Sequence, residues 1–165
     1  MTQASSLSIT AASQADVPLI LSLVNELADY EQLRHESIAT EDSLSEALFG
    51  AQPGVEAVIA RLDGEAAGFA LFFHNFSTFL GRRGLYLEDL FVRPAFRGRA
   101  IGKALLKHLA ALAVERGCGR FEWQVLDWNQ SARDFYESLG AKPNSAWVSY
   151  RMTGEALQRL AAAGS

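Results

Sequence analysis

The order of predicted elements indicates an α/β (α+β) fold with a mixed, mostly antiparallel, twisted sheet and helices on both faces. A run of hairpin-linked strands occupies the middle of the chain, with a turn signal at Asp63-Gly64. A β-α-β succession follows this run, and such a connection joins parallel strands. The chain has 165 residues, of which 49% are hydrophobic and 21% charged. These values predict a single globular domain over residues 1–165.

Each element is predicted from hydrophobic spacing and from the residues that begin or end it. Asp16 is a good N-cap for a helix with apolar residues at helical spacing from Val17 to Ala28. Thr40 begins a second helix, and Gly140 ends a later one. The predicted strands are 7–12, 55–61, 67–75, 85–92, 120–126 and 147–152; the predicted helices are 17–28, 40–50, 101–116, 129–139 and 154–163.

Composition excludes several classes of protein. The net charge of −4 disfavours a general nucleic-acid partner, because phosphate binding requires a basic surface. The longest wholly apolar stretch is far too short to span a bilayer, and the first ten residues do not resemble a signal peptide. Cys118 is the single cysteine, so no internal disulfide forms, and the three histidines lack metal-ligand spacing. The sequence therefore predicts a cytoplasmic protein without membrane attachment or metal.

The segment from residue 85 to residue 106 combines a strand, a loop rich in arginine and glycine, and a helix. The first turn of a helix leaves backbone N–H groups unpaired and has a partial positive charge. Glycines allow an anion to approach those groups closely, and arginines add charge, so the loop predicts a phosphate or pyrophosphate site. The residues concerned are Arg97, Gly98, Arg99, Ala100, Ile101, Gly102 and Lys103.

Two other phosphate-binding motifs fit this loop poorly. A Walker loop needs four residues between its glycines, whereas Gly98 and Gly102 are one residue too close. Ala104 also stands where a magnesium-binding hydroxyl is needed, which disfavours a nucleotide kinase. A dinucleotide fingerprint would require a third glycine and a place after the first strand. A basic helix N-terminus without any ligand is the remaining alternative.

The loop resembles the signature of the GNAT superfamily of N-acetyltransferases. Arg97-x-x-Ala100-x-Gly102 is similar to the superfamily's [Q/R]-x-x-G-x-[G/A] motif, which binds the pyrophosphate of acetyl-CoA. Ala100 replaces the first glycine of that motif, and since alanine is tolerated in a first helical turn, we expect binding to persist. The predicted topology matches this superfamily over nearly the whole chain.

A later segment resembles a second element of the same superfamily, N-x-x-A-x-x-F-Y-x-x-x-G-[FA]. The matching residues are Asn129, Ala132, Phe135, Tyr136, Gly140 and Ala141. Residues 26–31, 85–89 and 127–129, together with Trp147, are similar to the diamine (spermidine/spermine) N-acetyltransferase branch. Within that branch, residues 125–130 and 154–156 look most like the thialysine N-ε-acetyltransferases. The resemblance implies acetyl-CoA as co-substrate, a small-molecule amine as acceptor, and a homodimer.

The resemblance assigns two catalytic residues. Glu88 lies in an otherwise apolar strand and would accept the proton of the incoming ammonium, directly or through water. The alternative for Glu88 is a structural salt bridge. Tyr136 would protonate the departing CoA thiolate, and its alternative is a packed tyrosine. Acetyl transfer would then be direct, in a ternary complex.

The remaining assignments concern binding. Backbone groups of β-strand residues would pair with the extended pantetheine arm, and Asn129 would cap its helix, contact that arm, or do both. The expected cofactor-binding residues beyond the 97–103 loop are Leu90, Phe91, Val92, Asn129 and Tyr136, and the expected substrate-binding residues are Glu31, Glu88, Asp89 and Trp147.

The acceptor is predicted from charge. Arg34, His35 and Ser77 stand where a polycation site would have acids, which favours a thialysine-like amino acid over spermidine or spermine. Two other functions remain open at this point. They are a non-catalytic acyl-CoA-binding module on the same fold, and an acetyltransferase for another amine or a protein N-terminus.

Overall fold

The computed structural model describes residues 4–164, which form two compact units. The first unit ends at Leu126, and the second begins at Asp127. The first unit contains the whole sheet. Its elements are β1 (Leu7–Ala11), α1 (Val17–Tyr30), α2 (Glu41–Phe49), β2 (Glu56–Leu62), β3 (Glu65–Ser77), β4 (Arg82–Val92), α3 (Ile101–Glu115) and β5 (Arg120–Trp123). The second unit contains α4 (Gln130–Ser138) and α5 (Gly154–Ala162).

The five strands form one mixed sheet in the order β1-β2-β3-β4-β5. The first four strands are antiparallel to their neighbours, and β5 is parallel to β4. The β2–β3 turn has positive φ at both Asp63 (51°) and Gly64 (85°). Two successive positive φ angles match the twist of the flanking strands, which explains the Asp-Gly signal. The predicted mixed, mostly antiparallel sheet is confirmed.

Helices cover both faces of this sheet. On one face, α1 and α2 pack against alternate strand residues, and Ile20, Leu23, Phe69 and Phe91 are among the buried members of that core. The α3 helix lies on the other face, where its buried residues include Leu105 and Leu109. Burial of apolar surface on both faces is the main stabilising contribution to this arrangement.

The helix starts show two different uses of a capping position. Thr40 Oγ1 accepts a hydrogen bond from the Ser43 backbone N–H at 3.1 Å, as the sequence predicts for α2. Asp16 occupies the position before α1, but its side chain does not cap that helix. Its carboxylate instead accepts a hydrogen bond from Arg61 at 2.8 Å. Asp16 is therefore the N-cap residue of α1, as predicted, but its side chain does not supply a capping hydrogen bond to that helix.

The predicted last strand, residues 147–152, is absent from the described part of the chain. No strand pairs with this segment there, and Trp147 and Tyr150 are 76% and 95% exposed. The alternation of Val148, Tyr150 and Met152 is typical of a strand, yet alternation specifies a face and supplies no partner. A strand forms only where its backbone groups find a hydrogen-bonded neighbour.

The second unit begins with a capped helix, as predicted. Asn129 Oδ1 accepts a hydrogen bond from the Ala132 backbone N–H at 3.3 Å, which starts α4. Gly140 has a φ of 95°, in the left-handed region that ends helices, and it follows α4 closely.

Candidate active site

One edge of β4 is unpaired over its second half. The β4–β5 pairing covers residues 84–87 of β4 and stops at Leu87↔Trp123. Beyond Leu87, no strand in the described residues pairs with this edge, although β4 continues to Val92. Unpaired backbone N–H and C=O groups along an edge can hydrogen-bond an extended ligand. The edge leads directly into the loop before α3.

The β4 strand has a β-bulge at Glu88, next to Asp89. The β3–β4 register shifts so that Leu71 faces Asp89 and Phe72 faces Leu87, which leaves Glu88 without a facing residue. A bulge inserts one extra residue into a strand and redirects the side chains around it. As a result Glu88 is exposed, whereas Asp89 is half-buried.

The sequence contains a signal for this bulge. Leu85 and Leu87 share one face of β4 and are buried there. Leu90 and Val92 lie on the same face, next to Gly102 of α3, because both are within 4 Å of the place where a Cβ on Gly102 would be. The spacing therefore changes from two residues to three and back to two. Strict alternation cannot produce that pattern, whereas one inserted residue does.

The loop before α3 has two residues in the left-handed region. Gly98 has a φ of 77°, and Ala100, at the N-cap position of α3, has a φ of 58°. The expectation that Ala100 lies in an ordinary first helical turn is wrong. Left-handed geometry costs a residue with a Cβ about 1–2 kcal/mol, which explains why the related motif has glycine there.

Gly102 leaves open space at the start of α3. A Cβ added to Gly102 would lie 3.8 Å from Val92 Cγ2 and 3.9 Å from Leu90 Cδ2, both ordinary contacts. The packing of the protein itself therefore does not require glycine at this position. The absence of a side chain leaves the backbone at the start of α3 open to approach.

The basic side chains of the loop differ in their surroundings. Arg99 and Lys103 are exposed. The Arg97 guanidinium Nε donates a hydrogen bond to the Val92 carbonyl oxygen at 3.2 Å, and its Cζ lies 4.8 Å from the centre of the Tyr30 ring. The Phe91 side chain is buried in the core on the α1 face, so it offers only backbone groups to a ligand on the α3 face.

Three carboxylates interact on the α1 side of the bulge. Burial, together with the neighbouring charges of Glu88 and Glu31, raises the pKa of Asp89 to about 6. Burial also raises the pKa of Glu31. An ammonium group would relieve this repulsion by pairing with the carboxylates. The structure thus brings together three of the four residues that the sequence analysis assigns to the acceptor.

The raised pKa of Asp89 predicts a pH-dependent cost to stability. The folded state binds the extra proton between the ordinary aspartate pKa of 3.8 and about 6, so stability falls as pH rises through this window. Asp89→Asn is expected to increase the free energy of unfolding by about 1–3 kcal/mol above pH 7 and to change it little at about pH 4. Urea denaturation across this range measures the difference. Glu65→Gln, at an exposed carboxylate of β3, is the control; equal effects of both variants would contradict the prediction.

Asn129, Tyr136 and Trp147 belong to the second unit. Tyr136 lies on α4, half-buried, with its ring centre 5.7 Å from that of Phe135. Asn129 caps α4, and Trp147 is exposed. The α4 helix thus places Asn129 and Tyr136 two turns apart on one short element.

A cavity of about 780 Å³ lies at the other end of α3, around Arg116. Its charged groups satisfy one another, since Arg116 donates hydrogen bonds to both oxygens of Glu56 at 2.6 and 2.8 Å. Arg116 Nη1 also lies 2.8 Å from His74 Nε2. Within residues 4–164 no cluster of His, Cys, Asp and Glu has the geometry of a metal site, and no helix is long and apolar enough to cross a membrane.

The comparisons with known proteins agree with this geometry. The profile of the Acetyltransferase (GNAT) family matches residues 20–141. A thialysine N-epsilon-acetyltransferase from Sus scrofa is 37% identical, over 93% of this chain and 96% of that protein. An L-ornithine N5-acetyltransferase from Arabidopsis thaliana is 33% identical, over 92% and 86%. The solved structure of an integron cassette protein from the mobile metagenome of V. cholerae superimposes with a TM-score of 0.81 at 30% identity, covering 96% of this chain and 99% of that one.

The fold and the family match thus define the protein as an N-acetyltransferase. The family match covers most of the chain, and the relatives named as acetyltransferases align along nearly their full length. The chain belongs to the Acetyltransferase (GNAT) family and is an N-acetyltransferase, a family whose acetyl donor is acetyl-CoA.

Proposed function

We propose that this enzyme transfers the acetyl group of acetyl-CoA to a primary amine of a small molecule, a thialysine-like amino acid or a diamine or polyamine. The observation that supports this most directly is the unpaired β4 edge leading into the glycine-containing start of α3. An extended pantetheine arm would pair with the backbone of residues 90–92, and the pyrophosphate would bind the N–H groups of residues 97–103.

The proposed chemistry is a direct attack within a ternary complex. Glu88 accepts a proton from the substrate ammonium, directly or through a water molecule, and is exposed enough for either route. The free amine attacks the thioester carbonyl carbon, the carbon–nitrogen bond forms, and the carbon–sulfur bond breaks. Tyr136 gives its phenolic proton to the leaving CoA thiolate and regains one as the new amide nitrogen loses its second proton. Glu31 and Asp89 hold the ammonium end of the acceptor before transfer.

The acceptors named for two relatives support a small amino-acid amine. Thialysine and ornithine, the substrates in those names, each have a side-chain amine and an α-carboxylate. The carboxylate cluster formed by Glu31, Glu88 and Asp89 complements the amine. Trp147 is assigned to acceptor binding because this residue is similar to the diamine N-acetyltransferase branch.

Substitution of Gly102 tests the cofactor assignment. Gly102→Val is expected to raise the KM for acetyl-CoA about tenfold or more, because side-chain methyls would occupy the space next to the backbone N–H groups. Gly102→Ala adds only a Cβ, which the protein accommodates, so the stability of this variant should not fall. Its KM for acetyl-CoA should nevertheless rise. Initial-rate kinetics and thermal unfolding measure the two effects. Unchanged KM and kcat in both variants would contradict the assignment.

We also propose that the enzyme is a cytoplasmic homodimer. Trp147, Val148 and Tyr150 are exposed apolar side chains close together in the sequence, suited to a symmetric contact between two copies. Sedimentation at micromolar protein concentration distinguishes the dimer from a monomer, and a monomer would contradict the proposal.

A further inference from the structure

The last two turns of α1 contact the loop before α3 at two points. Arg93 Nε donates a hydrogen bond to Glu26 Oε2 at 3.0 Å, and its Nη1 donates to the Ala66 carbonyl oxygen at 3.2 Å. The Arg97 guanidinium lies over the ring of Tyr30, at 4.8 Å from its centre. Glu26 and Tyr30 are four residues apart and share one face of α1.

The two arginines bracket the turn that leads to the start of α3. A short 3₁₀ turn, Pro94–Phe96, separates Arg93 from Arg97. Arg97 also donates its Nε hydrogen to the Val92 carbonyl oxygen, which closes this turn onto the end of β4. The loop is exposed and has left-handed residues at Gly98 and Ala100, so its conformation depends on such contacts.

We propose that Tyr30 and Glu26 are positioning residues for acetyl-CoA, which hold the loop of residues 93–100 through Arg97 and Arg93. This inference rests on the proposed function, in which residues 97–103 bind the pyrophosphate. A guanidinium fixed over an aromatic ring gains electrostatic attraction from the ring face. The backbone N–H groups that follow Arg97 are thereby preorganised before the ligand arrives, which reduces the entropy lost on binding.

The key variant is Tyr30→Ala, with Tyr30→Phe as the conservative replacement. Tyr30→Ala is expected to raise the KM for acetyl-CoA and the Kd for CoA about two- to fivefold, the loss expected for one partly exposed cation–π contact. The kcat and the KM for the amine should stay within about twofold of wild type. Tyr30→Phe keeps the ring face and should restore acetyl-CoA binding.

Glu26→Ala provides a second, independent variant at the other contact. It should raise the KM for acetyl-CoA about twofold. The double variant Tyr30→Ala, Glu26→Ala should raise this KM by about the product of the two single effects. Phe49→Ala, which removes an exposed aromatic side chain at the end of α2, is the matched control and should leave both KM values unchanged.

A double-mutant cycle tests whether Tyr30 acts through Arg97. After Arg97→Ala, the further change Tyr30→Ala should leave the Kd for CoA unaltered, as measured by titration calorimetry. A rise in the amine KM in place of the acetyl-CoA KM, or an undiminished effect of Tyr30→Ala after Arg97→Ala, would overturn the inference.

The Gly102 variants separate this inference from the proposed function. If Gly102→Val leaves the KM for acetyl-CoA unchanged, the loop is not the cofactor site and the proposed function itself fails. If Gly102→Val raises that KM while the Tyr30 and Glu26 variants bind CoA like wild type, only the positioning role is wrong.

Discussion

Tyr136→Phe is expected to lower kcat by roughly 10²–10⁴, the range for loss of a general acid, with little change in the KM for acetyl-CoA. The substitution removes one hydroxyl and keeps the ring that lies beside Phe135 on α4. The leaving CoA thiolate would then have no positioned proton donor. Thiol release followed at saturating acetyl-CoA and amine measures the loss.

The control for this variant is Tyr150→Phe, which removes a hydroxyl from a tyrosine that is 95% exposed in the same unit. It should retain wild-type kcat. Near wild-type turnover of Tyr136→Phe at every pH would show that Tyr136 is a packing residue. A rise in the KM for acetyl-CoA with unchanged kcat would instead indicate a binding role.

The fold was predictable wherever a local signal determines structure. The α1 and α3 helices follow from hydrophobic spacing, and the β2–β3 hairpin follows from Asp63-Gly64, whose φ angles are both positive. The strand predicted over 147–152 failed because a strand also needs a partner, and alternation says nothing about which neighbour is available.

The candidate site required information from distant parts of the chain. The loop of residues 97–103 was visible in the sequence, since its glycines and arginines are contiguous. The contact of Arg97 with Tyr30 joins residues that are far apart in the sequence, and only the packing of α1 on the sheet creates it. Ala100 illustrates the opposite difficulty, because its left-handed conformation is imposed by the loop against the preference of alanine.

Thialysine, or a similar small amino-acid amine, is expected to be acetylated with a kcat/KM at least about tenfold higher than that for spermidine. The proposed binding site for the acceptor amine contains three carboxylates, Glu31, Glu88 and Asp89, which suffice for a single ammonium group. A polyamine has further ammonium groups. Each ammonium group without a charged partner lowers the binding free energy by on the order of 1–3 kcal/mol, compared with a site that supplies such a partner.

The structure changes one part of the sequence argument for this selectivity. Ser77 is buried at the end of β3, and its Oγ accepts a hydrogen bond from the Leu80 backbone N–H at 3.3 Å. Ser77 therefore supports the β3–β4 turn, and the absence of an acid there says nothing about the acceptor. Arg34 remains relevant, because it lies just beyond α1, close in the chain to Glu31, and is half-exposed with Asp29 3.9 Å away.

A cation at Arg34 favours an acceptor with a carboxylate and disfavours one with only positive charges. Arg34→Gln is therefore expected to lower kcat/KM for thialysine about three- to tenfold and to leave that for spermidine unchanged or higher. Arg159→Gln, at an exposed arginine of α5 paired with Glu155, is the matched control and should preserve the ratio.

A competition assay at neutral pH decides the order of preference, with thialysine, L-ornithine, lysine and spermidine sharing one pool of acetyl-CoA. The sulfur of thialysine withdraws electrons and lowers the pKa of its amine, so a larger fraction of that amine is already deprotonated at neutral pH. Thialysine should therefore be acetylated faster than lysine. If spermidine is acetylated fastest, the missing anions come from other acids, such as Glu26 and Glu36 or those of a second copy of the chain. In that case the Arg34→Gln variant should show no change in the ratio, because the carboxylate of the acceptor would not contribute to recognition.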